Sequence, residues 1–414
     1  MANQHNAFGG HNRLYGPRPG SPHYERRLVS AKDILGPGGK IRPTFTMNDL
    51  DLTSASSIEL LSALEYFHTN GIETLYTFSA QKSLLNQTNK DEITASLNIL
   101  KDSKYGVKYL QYGNENTIGS TPLIHYGPNL TWFYNEADSI MPGTPVYAPS
   151  LQPKVEGLDF LTAFYNQYGT SISDGIDVHL YAYDNIENLH SSYKFNNIVS
   201  LAKSNNHEVI STEFCGCTWG LVDEGVPGTP DTIYRTEIGQ LNRGIANLLY
   251  SLGTGIKHVY WSSMPEDIVW VNAESGPNTG YILFHTGLCI GSWAAGNCYD
   301  AAGQWRLMAF AIQLMAEIWR DYSIVTPGTL TSPGDEISII SFPSDDTNVA
   351  ACYAIYYYGD DKGDHPATIT APLGTVSVLE VNFNSFSTST ESSSPGPKTY
   401  NTSNLPKIVI FLRS

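Results

Sequence analysis

Tyr109-Leu110-Gln111-Tyr112-Gly113-Asn114-Glu115-Asn116 is an apolar, aromatic run that stops abruptly at Gly-Asn-Glu. Further along, Val209-Ile210-Ser211-Thr212-Glu213-Phe214 repeats the design. Each has the form of a buried strand ending in a glutamate. A carboxylate at the end of a parallel strand is where barrel enzymes place their chemistry.

Outward from these two runs the chain alternates strand and helix. Ile41 to Met47, Ile72 to Phe78, Val107 to Tyr112, Pro145 to Ala148, Ile176 to Tyr183, Glu208 to Phe214 and Ile256 to Ser262 read as strands. Helices are predicted over 24–35, 54–69, 91–102, 158–168, 193–204, 232–252 and 305–322. Repeated β-α units with buried strands argue for a parallel sheet. Seven strands are countable, and a closed (β/α)8 barrel needs an eighth. With the first helix at Tyr24–Leu35, the first strand has to lie within residues 1–20, a segment rich in Gly, Pro, His and Asn.

After about Ile324 the pattern changes. Pro and Gly turns separate short runs at 336–342, 348–358, 367–371, 375–382 and 407–412. Several alternate or are β-branched, as in an antiparallel β-sandwich. The Ser/Thr-rich stretch 385–397 reads as a mobile loop within it. The expected organisation is α/β: a TIM barrel over residues 1–323 and a β-sandwich accessory domain over 324–414.

Composition narrows the function. The 414 residues are 41% hydrophobic, enough for a large core, with a net charge of −16 and only 24 Lys and Arg. Such a surface repels phosphate backbones, so a nucleic-acid partner is not expected. No apolar run approaches the ~20 residues of a membrane span. The 26 tyrosines and 7 tryptophans suit flat stacking on sugars, though composition alone is weak support. The first six residues, Met1 to Asn6, carry no apolar secretory core. Cys289 and Cys298 flank a Gly-rich loop and could close a disulfide, Cys215 and Cys217 are too close to pair easily, and Cys352 is the odd one. Sequons at Asn86, Asn129 and Asn401 add to an extracellular leaning, against which stands a cytoplasmic chain with unpaired cysteines. Oligomeric state is left open.

On this count Glu115 ends the fourth strand and Glu213 the seventh, facing each other across a barrel mouth. Gly113-Asn114-Glu115 and Thr212-Glu213-Phe214 resemble the motifs of clan A glycoside hydrolases, the retaining (β/α)8 enzymes, over roughly residues 41–320. The resemblance implies that Glu115 is the acid/base and Glu213 the nucleophile. It further implies that Asn114 binds a substrate hydroxyl, that Tyr181 of His179-Leu180-Tyr181 steadies the nucleophile, and that Trp261 floors the sugar subsite. His179 shares the face of Tyr181 by strand alternation and is expected to bind substrate. Asn48, after the second strand, is a weaker sugar-binding candidate. Among clan A branches the chain is similar to heparanase-like, xylosidase/iduronidase-like and agarase-like enzymes without separating them.

Blander readings stand beside each. Two strand-end glutamates can be ordinary rim acids. Asn114 can be a turn residue, His179 and Tyr181 rim residues bonded to loops, and Trp261 a core tryptophan. Trp132, Trp219, Trp270 and Trp293 are expected in mouth loops. Cys215-Gly216-Cys217 lacks a companion pair at zinc spacing, so no metal and no cofactor is expected. No Lys-Ser/Thr phosphate loop and no Gly-x-Ser-x-Gly elbow occurs. The expected function is retaining hydrolysis of β-glycosidic bonds in a carbohydrate; the alternative is a non-catalytic sugar-binding protein on a degenerate barrel. The charge on Glu213 is expected to raise the pKa of Glu115.

Overall fold

The computed structural model describes residues 5–13, 22–44, 51–53, 57–116, 122–182, 194–216, 218–219, 237–262, 268–272, 281–285, 307–334, 336–358, 365–402 and 405–414. The barrel strands are β1 (Phe8–Arg13), β2 (Lys40–Thr44), β3 (Glu73–Phe78), β4 (Val107–Tyr112), β5 (Val146–Leu151), β6 (Gly175–Val178), its continuation β7 (Leu180–Ala182), β8 (Glu208–Gly216) and β10 (Ile256–Ser262). All pair in parallel, and the ring closes where β10 meets both β1 and β8. Counting β6 and β7 as one, this is an eight-stranded TIM barrel.

The eighth strand of the count is the awkward first one. Its Phe-Gly-Gly-His-Asn-Arg sequence has little strand propensity, so its neighbours hold it. Asn6 donates to the carbonyls of Leu35 and Pro37 and accepts from the Phe8 N–H. The buried ammonium of Lys40 donates to the Asn6 carbonyl at 2.6 Å and lies 3.6 Å from Glu73. Burial pulls the Lys40 pKa down to about 8, against the opposing pull of Glu73.

Helices α1 (Pro22–Leu35), α2 (Ile58–Thr69), α3 (Gln87–Leu100), α4 (Leu123–Ile140), α5 (Val155–Tyr168), α6 (Phe195–Ser204), α7 (Glu237–Thr254) and α8 (Leu307–Asp321) accompany the strands. Of these, α4 has no counterpart in the sequence reading, because Gly127-Pro128 sits inside it as a breaker pair. The glycine serves packing: a Cβ there would lie 2.0 Å from the Tyr168 ring. Trp132, expected in a mouth loop, is instead on this helix beneath the ammonium of Lys90. Trp219 and Trp270 fall on strands, and Trp293 lies outside the described residues. β9 (Thr218–Trp219), β11 (Ile268–Asn272) and β12 (Tyr281–His285) make a small antiparallel sheet from chain leaving the seventh and eighth barrel strands.

The C-terminal part is antiparallel, as expected. β13 (Thr329–Gly334), β14 (Ile337–Phe342), β15 (Val349–Tyr357), β17 (Thr375–Asn382), β18 (Ser387–Ser392) and β20 (Lys407–Arg413) form one sheet, and β16 (His365–Ala371) pairs with β19 (Gly396–Thr402). The Ser/Thr-rich stretch read as a loop contains β18, an edge strand in register with β17 and exposed along its whole length. Exposure removes the apolar alternation by which strands are read, while β17 supplies the ladder. Trp319 of α8 joins the parts, with rings of Phe8 and Phe342 edge-on at 5.4 and 5.2 Å.

Two sequence features resolve here. Asn129 is buried in α4, donating to the Ser83 carbonyl and accepting from the Leu85 N–H, so its sequon is unavailable in the folded chain. Cys352 is a buried free thiol, and Cys289 and Cys298 lie outside the described residues.

Candidate active site

The turn after β4 is built to aim one carboxylate. Gly113 has φ +96°, and a Cβ there would lie 2.6 Å from the Asn116 side chain. Glu115 follows with φ +48°, a left-handed conformation uncommon for a side-chain-bearing residue. The turn is clamped to β5, for the Asn116 N–H donates to the Ser150 carbonyl at 2.6 Å and the Ser150 N–H returns to Asn116 Oδ1. Glu115 thus projects at the mouth, 31% exposed, with Gln152 donating to its Oε2 at 2.8 Å.

Glu213 lies within β8, three residues before its end, and is nearly sealed from solvent. Its Oε1 accepts from Arg42 Nη1 at 2.6 Å. The rest of that guanidinium is pinned: Nε donates to Thr77 and Gln111, and Nη2 donates to Asn114 Oδ1 at 2.8 Å. A planar fork with fixed donors suits this task better than a flexible ammonium. Asn114 is therefore at the site, with its carbonyl oxygen engaged by arginine.

His179 stands between the two glutamates, wholly buried. Its Nδ1 is 3.2 Å from Glu115 Oε1 and 3.5 Å from Glu213 Oε2. Its Nε2 is 3.0 Å from Asp177 Oδ2. Asp177, also wholly buried, accepts from Gln111, Ser150 and the N–H and hydroxyl of Thr212. Burial alone would push its pKa up; the His179 and Arg42 charges and the Ser150 hydrogen bond outweigh that and hold it at about 2. For His179, burial disfavours the charge, but Glu213 and Asp177 reverse this and carry its pKa up to about 10.

One expectation is reversed. Burial does push the Glu115 carboxyl up, but hydrogen bonding and charge from His179, then Gln152 and Lys154, leave it below its ordinary value. The repulsion foreseen from Glu213 is screened by an imidazole that the one-dimensional reading had assigned only to sugar.

Among the described residues, one oxygen from each glutamate and one ring nitrogen of His179 all lie within 4.8 Å of one another. Arg42 and His179 already supply positive charge there, and the set reads as charge-paired side chains.

Glu115, Glu213, Asn114 and His179 are thus brought together. Tyr181 contributes backbone to β7, paired with Cys215, and its side chain, like all of Asn48, lies outside the described residues. Trp261 is corrected. It is 1% exposed, edge-on to Phe214 at 5.6 Å, and a Cβ on Gly244 of α7 would lie 2.9 Å from its ring. Alternation puts Tyr260 inward with Leu75, Tyr147 and Ile210, so Trp261 faces the helix layer as a core residue.

Arg42 and Asp177 were missed by sequence reasoning. The available signal was a charge inside a strand of the barrel, where it is rarely buried without a partner.

No protein-family model matches the chain, and no curated protein matches it. Solved structures match over its full length. A glucosidase from Croceicoccus marinus gives a TM-score of 0.58 at 11% identity, covering 100% of this chain and 96% of its own. A glycoside hydrolase family 30 subfamily 8 xylanase from Clostridium acetobutylicum gives 0.57 at 11%, covering 99% and 96%. The catalytic domain of a GH30 xylanase C from Talaromyces cellulolyticus gives 0.56 at 10%, covering 98% and 96%. At such identities the likeness is one of fold: this chain has the barrel-plus-sandwich architecture of these proteins.

Proposed function

We propose that this protein is a retaining glycoside hydrolase acting on β-linked sugars. The observation that carries the reading is that one carboxylate oxygen of Glu115 and one of Glu213 lie within 4.8 Å of each other at the barrel mouth. Retaining enzymes hold their carboxyl groups about 5–5.5 Å apart, whereas inverting ones need roughly 6.5–9.5 Å to admit a water. The neighbours in fold are named as a glucosidase and two xylanases, which favours a glycosidic substrate.

In this mechanism Glu213 attacks the anomeric carbon while Glu115 protonates the departing oxygen, leaving a glycosyl ester on Glu213. Water then attacks the same carbon, Glu115 takes its proton, and Glu213 is released. Arg42 pairs with Glu213 and aims it, and hydrogen bonds that hold a nucleophile in place lower the cost of reaching the transition state. The binding-only alternative drew on a weak first strand; that strand is now accounted for and both carboxylates face one space.

The test is a panel of aryl β-glycosides, with proton NMR of the first-formed sugar. Retained configuration is expected. An initially inverted product would exclude direct attack by Glu213, and no turnover across the panel with Asn114 and both glutamates intact would favour a binding protein.

A further inference from the structure

The hydrogen bonds around His179 count its protons. Ser150 and Thr212 each spend their single hydroxyl hydrogen on Asp177 Oδ2, at 2.7 Å in both cases. Towards His179 Nε2, at 3.0 and 3.2 Å, these oxygens can only accept. Asp177 Oδ2 is likewise an acceptor, so Nε2 carries a hydrogen. On the other side Nδ1 meets oxygens of Glu115 and Glu213. Two carboxylates at one nitrogen favour a proton among them, and it has three sites: Nδ1 of an imidazolium, Oε1 of Glu115 or Oε2 of Glu213, the last disfavoured because Arg42 already pairs with Glu213.

Resting on the glycosidase reading above, we propose that His179, locked by Asp177, stores the proton that Glu115 delivers to the leaving group. At rest the proton sits on Nδ1, and Glu115 is ionised. Substrate covering the exposed third of the Glu115 side chain removes water that stabilises its charge, which favours the neutral acid. The Nδ1–H bond then breaks, an Oε1–H bond forms across 3.2 Å, and His179 becomes a neutral imidazole that keeps Nε2–H on Asp177. Glu115 gives this proton to the glycosidic oxygen as the bond to the anomeric carbon breaks. In the second half Glu115 takes a proton from the attacking water and returns it to Nδ1. One water is consumed, no net proton is gained or lost, and no other reactant is needed.

The charged groups bearing on this proton come from every side of the mouth. Asp177 and His179 flank the β6–β7 junction, Glu115 follows β4, Glu213 lies in β8, Arg42 acts from β2 through Glu213, and Lys154 acts on Glu115. Asp177 touches no substrate in this scheme and is a positioning residue. His179 is a reservoir acting through Glu115.

Two measurements test the proposal on the full chain. The first is nitrogen NMR of 15N-histidine-labelled protein, with His179 assigned through His179→Gln. Both ring nitrogens should be protonated at pH 7.5, and Glu115→Gln should lower the titration midpoint by about one pH unit or more. Titration of His179 near an ordinary histidine value, or indifference to Glu115→Gln, would overturn the shared proton. The second is the pH profile of kcat/KM for Asp177→Asn on an aryl glycoside with a poor leaving group. Its alkaline limb should fall by about one unit or more, while an activated aryl glycoside is spared. A profile lowered equally at every pH, or superimposed on the wild type, would overturn the relay and leave the glycosidase reading standing. If no glycoside is turned over, the glycosidase reading falls, and the NMR titration still decides where the proton is held.

Discussion

Arg42 donates to Glu213 across 2.6 Å with both side chains almost fully buried. Burying two charges is costly, and the pair is tolerable because its remaining hydrogen-bonding capacity is met by Thr77, Gln111 and Asn114. Arg42→Met removes one charge and strands the other. It should cost about 3–5 kcal/mol of stability and nearly all turnover. Arg42→Lys should retain more stability but little activity, because an ammonium cannot reach Glu213 and Asn114 together in the plane of a fork. Thermal unfolding and kcat/KM on an aryl glycoside check both. Full activity in Arg42→Lys would show that charge alone suffices.

Glu213→Gln should fold and lose turnover, since the amide keeps the shape but cannot form the glycosyl ester. A 2-deoxy-2-fluoro glycoside accepted by the enzyme should label Glu213 covalently. Peptide mapping that finds the label on another residue would displace Glu213 as nucleophile.

Glu115→Ala should slow substrates with poor leaving groups by orders of magnitude more than activated ones, because only the former need a proton in the first step. Added azide should restore part of the rate by replacing water in the second. A uniform loss across leaving groups would assign Glu115 another task.

The buried Asp177–His179 pair should make stability depend on pH from both sides. The Asp177 pKa is depressed from 3.8 to about 2, so its contribution is present above 3.8 and lost as pH falls towards 2. The His179 pKa is raised from 6.5 to about 10, so its contribution is full below 6.5 and lost as pH rises through 10. The stability gap between wild type and His179→Asn should be widest between about pH 4 and 6.5 and narrow on the alkaline side. Lys40, depressed to about 8, acts in the opposite direction there in both proteins and cancels in the difference. A gap constant from pH 5 to 10 in thermal unfolding would contradict a charged His179.

How far the sequence reached depended on where the deciding contacts lie. β4 and β8 are strands by local composition, and their glutamates were legible because each interrupts an apolar run. β1 was not, since its place is dictated by β2 and β10. Asn114 and His179 do lie beside the two glutamates, but their partners were not foreseen: Asn114 accepts from an arginine, and His179 stands between the two carboxylates. Trp261 failed for a simpler reason. A strand-end aromatic can point to either side of the sheet, and the parity set by Tyr260 turns it to the helices. In α4 a Gly-Pro pair that breaks helices in isolation is retained because the glycine admits the Tyr168 ring.

The closure of the barrel has a bearing on how the chain is made. Phe8 pairs with Val259, so the first barrel strand to be synthesised cannot complete one of its two edges until the last barrel strand has emerged. A strand rich in valine or isoleucine would wait there as an adhesive template for other chains. Gly9-Gly10-His11-Asn12 is a poor template on its own. The weak composition that hides β1 from a reader of the sequence would also hide it from neighbouring nascent chains, and the hold of Asn6 and Lys40 substitutes for intrinsic propensity once the ring can close.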